Sequence, residues 1–461
     1  MDLQLVREQL YKRYIEPTKR EREKFIGVEI EMPIVNLSKK AVNFDVVHTI
    51  TDSFIKHFNF NVSGTDDEGN IYSAASPING DILSYDCSYN NLELSFGREQ
   101  NLYDIQKRFA EYYKFLQNEF KAYNYTLTGM GVNPYYKENH NVPIPNGRYR
   151  MLFHHLNSYK KYKDTPMYFH NYPEYGTFSS ASQVQLDVSF DKLPLTLNTF
   201  SKLEPIKALL FSNSVLLGEN ENNLCCRDMF WENSTHGINP HNIGMYNYEF
   251  TNIDDILAYI ESTSIYCVER DEKYINFSPT KIDDYFTKSS ITGEYFDNGE
   301  YKNIEFTPQL SDLEYLRTFK FEDLTFRGTI EFRSVCCQPI KDSFCVAAFH
   351  TGLMDKIDEL AEIIENDRIL YHHGYTAGEL RKMLISSNLP KFIDEDKLYD
   401  LAKQIVDLAY DGLLQRGMNE EKLLAPLYQR IDMRTNPAKT MLYLKDSKTD
   451  LKDIIIEYGK I

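Results

Sequence analysis

Glu29 and Glu31 stand on either side of Ile30 in FIGVEIEM, residues 25–32, a stretch that is otherwise apolar. On a β-strand alternate side chains share a face. Val28, Ile30 and Met32 therefore point one way, and Gly27, Glu29 and Glu31 the other. Two carboxylates on one face of an apolar strand repel each other if buried without compensation, so a cation is expected between them. Three further stretches repeat this pattern. NLELSF sets Glu93 opposite Leu92, Leu94 and Phe96. SQVQLDVSF sets Gln183, Gln185 and Asp187 opposite Val184, Leu186 and Val188. GTIEFRSV sets Thr329, Glu331 and Arg333 opposite Ile330 and Phe332.

Glu29, Glu31, Asp86, Glu93 and Glu331 are hard oxygen donors, and Gln183 can add an amide oxygen. With no His or Cys on these strands, magnesium or manganese suits them better than zinc. Five carboxylates exceed what one magnesium usually takes from protein, so several ions bridging the phosphates of a nucleotide fit better. Arg333 on the fourth strand and Arg227 in CCRDMFW supply positive charge for a phosphate or a carboxylate. Metals and arginines around a transferring phosphoryl group are the recurring equipment of that reaction. A single E-x-E on a strand is ordinarily a solvated face; four strands with the same asymmetry carry the reading. P-loop, dinucleotide-fold, nucleophile-elbow and H-E-x-x-H motifs are absent. His154–His155 and His372–His373 read as packing or surface pairs.

These residues need a scaffold. The chain has 461 residues, 42% hydrophobic and 26% charged, with a net charge of −17. That charge argues against nucleic acid or an anionic membrane as the main partner. No run of about eighteen apolar residues or signal peptide is visible. Seven cysteines without a C-x-x-C fit a reduced, cytoplasmic protein, with the adjacent pairs as small core residues. Helical spacing is expected from Leu3, at Val47–Phe58, over 101–122, after a turn in 145–156, near Leu203–Asn213 and near Asp254–Glu261. Thr126–Pro134 reads as a strand, and Gly64–Gly80 as a loop. Residues 280–308 read as an acidic, loop-rich cover over a cleft. From about residue 342 the chain is helical. The expected architecture is α+β: a sheet with one face on helices and a polar face lining a cleft, within a single domain spanning 1–461.

Taken in order, these motifs resemble the glutamate–cysteine ligases of plants and proteobacteria, within the glutamine-synthetase-like superfamily. GVEIEM is similar to the family's G-T-E-x-E strand, which places Glu29 and Glu31 on metal-binding carboxylates. NLELSF is similar to Q-F-E-L-S-G, carrying Glu93 over. Asp86 matches an acidic residue of more distant bacterial ligases. PNGRYRML resembles P-K-G-R-Y-K-I-M and brings in Arg148 and Tyr149. SQVQLDVSF resembles T-V-Q-V-N-L-D-F, with Gln185 in place of asparagine. EPIKALLFSNS is similar to P-I-A-T-A-L-F-A-N-S. CCRDMFW aligns with S-M-R-S-H-I-W, carrying Arg227 and the only tryptophan, Trp231. TIEFRSV matches Y-L-E-M-R-G-A and gives Glu331 and Arg333. DGLLQRG and TNPAKTMLYL resemble late family motifs.

The resemblance implies a curved, mainly antiparallel sheet whose carboxylate face forms the active-site cleft. It also implies an ATP-dependent ligase acting on glutamate and cysteine through a γ-glutamyl phosphate, the first step of glutathione biosynthesis. Magnesium (or manganese) would be held by Glu29, Glu31, Asp86, Glu93, Gln183 and Glu331. Arg148, Tyr149, Gln185, Arg227, Trp231 and Arg333 would bind substrates, with Arg227 and Arg333 acting in catalysis. The partners expected are small molecules, with the protein a monomer or small homo-oligomer. Two departures stand out: Met32 replaces the plant lysine, and Cys336 stands near an acidic family position. The same chemistry on another amine acceptor, a small-molecule phosphotransferase and an inactive binding protein are the competing readings.

Overall fold

The computed structural model describes residues 2–162 and 164–461. Helix α1 (Leu3–Leu10) leads to strand β1 (Ile26–Asn36) and helix α2 (Phe44–Phe58). Strands β2 (Asn61–Thr65), β3 (Ile71–Ala75), β4 (Ile82–Tyr85) and β5 (Asn91–Glu99) follow. Then come α3 (Leu102–Lys121), β6 (Tyr125–Leu127), α4 (Gly147–Asn157), β7 (Ser182–Asp187), α5 (Leu193–Phe211) and α6 (Cys226–Glu232). A strand-rich stretch holds β8 (Ile243–Gly244), α7 (Ile253–Glu261), β9 (Ser264–Arg270), β10 (Lys273–Lys281), α8 (Ile282–Thr287), β11 (Ile291–Asp297) and β12 (Glu300–Phe306). Strands β13 (Phe319–Lys320), β14 (Glu322–Leu324) and β15 (Thr329–Phe332) close it. The remaining regular elements are helices: α9 (Phe344–Met354), α10 (Ile357–Asn366), α11 (Ala377–Leu384), α12 (Glu395–Arg416), α13 (Ala425–Asp432), α14 (Pro437–Asp446) and α15 (Leu451–Tyr458).

The large sheet runs β14-β15-β7-β1-β5-β4-β3-β2, with β6 on the far end of β1. Its strand pairs are antiparallel. The four alternating strands are thus neighbours: β15, β7, β1 and β5. Their register places Glu31 opposite Glu93, Glu29 opposite Gln183, and Gln185 opposite Glu331. On the other face Val28, Ile30, Met32, Leu94, Leu186, Ile330 and Phe332 are buried in the main core. Phe332 meets Phe200 of α5 at 4.5 Å between ring centres, and Phe96 meets Phe109 of α3 at 6.2 Å. The architecture is α+β. Asparagines set the starts of three helices near the site: Asn43, Asn101 and Asn146 each accept from a backbone N–H in the first turn.

Two expectations fail. Gly64–Gly80 is a loop only in part, because β2 and β3 form a hairpin there. Residues 280–308 are largely ordered: β10, β11 and β12 join β9 in a second, four-stranded antiparallel sheet. Both regions carry polar strands whose side chains are largely exposed or half-buried, so they lack the apolar alternation that marks a strand. Helix α5 also begins ten residues before Leu203, and β6 ends at Leu127. No helix of the described residues is long and apolar enough to cross a membrane.

Candidate active site

The carboxylate face is assembled strand by strand. At its centre Glu31, 6% exposed, accepts from the backbone N–H of Ala181 (2.7 Å) and from Gln183 Nε2 (2.7 Å). Gln185 Nε2 donates to both Glu29 Oε1 and Glu331 Oε1, at 3.3 Å each. The two glutamine amides therefore sit between the three carboxylates of β1 and β15. Glu93 accepts from Ser95 on its own strand. Asp86 lies just beyond β4, and its charge presses on Glu31 and Glu93.

Burial and mutual repulsion make this face a poor place for bare negative charge. Burial, then the charges of Asp86 and Glu93, push the Glu31 carboxyl up to about 8. Burial and Asp86 push Glu93 up to about 7. Glu29 is driven well above the ordinary range by burial and by Glu331 and Glu93. Three arginines oppose this. Arg333 Nη1 donates to Glu331 Oε2 at 2.8 Å and also acts on Glu29. Arg227, on the first turn of α6, donates from Nη1 to the Ser334 carbonyl at 3.2 Å, and its charge relieves Glu31. Arg148, at the start of α4, relieves Asp86 and Glu93.

The donor set fits hard divalent cations. It is all oxygen, it carries more negative charge than the arginines offset, and the Oε1 of Gln183 is buried with no hydrogen-bond partner among the described residues. Among the described residues no three His, Cys, Asp or Glu side chains are gathered into a single ready coordination shell. The span explains this: from β5 to β15 the face crosses three inter-strand steps, roughly 14 Å, which suits more than one ion. Glu29, Glu31, Asp86, Glu93, Gln183 and Glu331 are the residues available to hold them.

Gln185, assigned to substrate, lies on this face between Glu29 and Glu331. Tyr149 is placed differently: it is buried, and its hydroxyl donates to the Tyr85 carbonyl at 3.3 Å, so it anchors α4. Trp231 stacks on Phe319 at 4.8 Å, and Phe319 in turn lies 5.9 Å beneath the Arg333 guanidinium. It supports Arg333 through one intermediate ring. Two polar residues beside the site were not anticipated. Asp323 pairs in register with Glu331 from β14, and burial raises its carboxyl to about 6 against the pull of Arg333. Arg327 donates to Gln185 Oε1 at 3.0 Å from the β14–β15 turn. Their only sequence signal is proximity to TIEFRSV.

Glutamate–cysteine ligases of chloroplasts match the sequence: that of Solanum lycopersicum is 24% identical over 255 residues, covering 53% of this chain and 45% of the relative. That of Oryza sativa subsp. indica is 24% identical over 273 residues, covering 58% and 52%. The chain is similar in sequence to the glutamate–cysteine ligases. It spans about half the length of these curated relatives. No family model matches. Among solved structures, a glutamate–cysteine ligase of Francisella tularensis in complex with AMP aligns over 96% of this chain and 88% of its own. It has 11% identity and a TM-score of 0.48. A bifunctional glutathione synthetase of Pasteurella multocida aligns over 99% and 52%, with 10% identity and a TM-score of 0.45.

Proposed function

We propose that this protein is an ATP-dependent ligase that joins the γ-carboxylate of glutamate to an amine, with cysteine as the leading acceptor. The observation that carries this reading is the continuous band Glu93, Glu31, Glu29, Gln185 and Glu331 bordered by Arg148, Arg227 and Arg333, in a chain related to ligases of that specificity. In the first step a γ-carboxylate oxygen of glutamate attacks the γ-phosphorus of ATP and ADP leaves. In the second the amine nitrogen forms a C–N bond to the acyl carbon, phosphate departs, and the ammonium proton is released. No protein nucleophile is required.

Magnesium held by the carboxylate band would offset charge on the phosphates. The chain's own contribution is binding and orientation. Arg227 is suited to grip an anionic group, because its Nε is buried with no partner among the described residues. Arg333, fixed by Glu331 and by Phe319, presents a second guanidinium beside Glu29. Gln185 holds Glu29 and Glu331 in place, and Gln183 does so for Glu31.

A second reading keeps the chemistry and changes the acceptor. Cys336, near the family's acidic position, is buried against Cys225 (Sγ–Sγ 3.6 Å) and Ser214, so position 336 itself offers an incoming amine a thiol in place of a carboxylate. Measuring ADP release with ATP, magnesium, glutamate and each of the twenty amino acids separates the two. Cysteine should give the largest glutamate-dependent increase. An equal response to serine or alanine rejects cysteine as the acceptor.

A further inference from the structure

The carboxylate band does not stop at Glu331. Asp323 of β14 stands directly opposite it in register, and side chains paired in this way share a face of the sheet. The polar face therefore continues one strand further, a step of roughly 5 Å. Thr318 Oγ1 donates to Asp323 Oδ1 at 2.7 Å. Oδ2 has no hydrogen bond among the described residues, and it is not sealed from solvent, since the residue is only half-buried.

Arg317, the neighbour of Thr318, is exposed. Its Nη1 donates to the carbonyls of Glu314 (2.7 Å) and Leu316 (3.2 Å), and no carboxylate pairs with it among the described residues. Arg333, by contrast, is already tied to Glu331. The charge of Arg317 reaches Tyr266 and Cys267 of β9, as that of Arg148 does, so it stands on the same side of the cleft. It also reaches the Tyr14 phenol, in the turn after α1, and so does the charge of Asp323. Asp323 and Arg317 thus border one space without pairing to each other. An open carboxylate near an open guanidinium suits a ligand that carries both an ammonium and a carboxylate.

We propose that Asp323 and Arg317 bind the α-amino-acid head of glutamate, Asp323 taking its α-ammonium and Arg317 its α-carboxylate. This rests on the ligase reading and adds the end of the substrate that does not react. The step from β14 to β15, roughly 5 Å, is about the reach of a glutamate side chain, so the γ-carboxylate arrives beside Glu331, Glu29 and Arg333. The acceptor is a poorer occupant. Its amine must be free at the acyl carbon, whereas the α-ammonium of glutamate takes no part in the reaction and can stay on a carboxylate. Neither Asp323 nor Arg317 lies in a stretch that carries the family resemblance.

The test titrates the full chain, in magnesium and a non-hydrolysable ATP analogue, with glutamate, glutarate and 4-aminobutanoate, read by saturation-transfer NMR. Glutarate lacks the α-ammonium of glutamate, and 4-aminobutanoate lacks its α-carboxylate. Asp323→Asn should weaken glutamate about tenfold, the worth of one charge-assisted hydrogen bond, and leave glutarate no weaker. Arg317→Gln should weaken glutamate and glutarate about tenfold and spare 4-aminobutanoate. Cysteine and the nucleotide analogue, titrated in parallel, should bind both variants as they bind the wild type. Equal losses for all three ligands, undiminished glutamate binding in the folded variants, or a loss confined to cysteine or the nucleotide overturns the proposal. So does a wild-type chain that takes up no glutamate. Glutamate-dependent ADP release by the wild type judges the ligase reading separately: with release intact, an unselective pattern strikes only this subsite.

Discussion

Glu31 faces Glu93 directly across β1 and β5 while Asp86 adds a third charge, and that repulsion is where cation binding should register. Both carboxyls sit above their ordinary range, Glu31 at about 8 and Glu93 at about 7. A group whose folded pKa is raised contributes stability below its unfolded value, and that contribution is lost as pH rises through the folded one. In chelator, the melting temperature should therefore fall from pH 5 to pH 8 more steeply for the wild type than for Glu31→Gln. Magnesium at pH 8 should restore it. Parallel profiles with no magnesium effect would contradict a cation site. Arg227→Lys keeps the charge but loses the fork and its unpartnered Nε. It should lower kcat/KM for glutamate about 100-fold in steady-state assays. The alternating carboxylates were legible because each lies on a strand long enough to show its period. Asp323 was not, because β14 has three residues and no period to read.

Helices α9 and α12 cross behind the site with no room between them. A Cβ on Gly352 would lie 2.1 Å from the Ala409 carbonyl oxygen, and one on Gly412 would lie 2.1 Å from the Gly352 carbonyl oxygen. Gly352→Ala should cost about 1–3 kcal/mol in urea unfolding by overpacking, with activity per folded molecule largely kept. No change in the midpoint would mean that the helices stand further apart. At this scale the amphipathic helices 44–58 and 102–121 were readable from their 3.6-residue period. The second sheet was misread even though its turn signal was present: Asn298–Gly299 joins β11 to β12 with both residues at positive φ (50° and 90°), the favoured two-residue hairpin. The flanking EYKNIEF is exposed to half-buried and shows no apolar face, so composition outweighed the turn.

Across the whole molecule, a buried ionic cluster ties the C-terminal helices to the active-site elements. Arg381 of α11 donates to Asp228 of α6 (2.7 Å) and to Glu204 of α5 (2.5 Å), and Lys207 pairs with Glu204 and with Glu322 of β14. Removing one partner strands buried charge, so Arg381→Met should destabilise by about 3–5 kcal/mol. Since α6 carries Arg227, the variant should also lose activity at temperatures where it remains folded. Wild-type turnover in folded Arg381→Met would detach α6 from this anchor. None of this network was visible in sequence, because its members are scattered over more than 170 positions and each alone is an ordinary helix or strand charge.

Phosphorylation of the γ-carboxylate of glutamate on this face, as proposed, would move one of its oxygens into phosphate. Glutamate labelled with ¹⁸O in the γ-carboxylate is incubated with ATP, magnesium, cysteine and the full chain, and the inorganic phosphate is examined by mass spectrometry. One ¹⁸O atom is expected in each phosphate formed, together with γ-glutamylcysteine. Phosphate free of label, or label retained in a stable phosphorylated glutamate without an amide product, would contradict it.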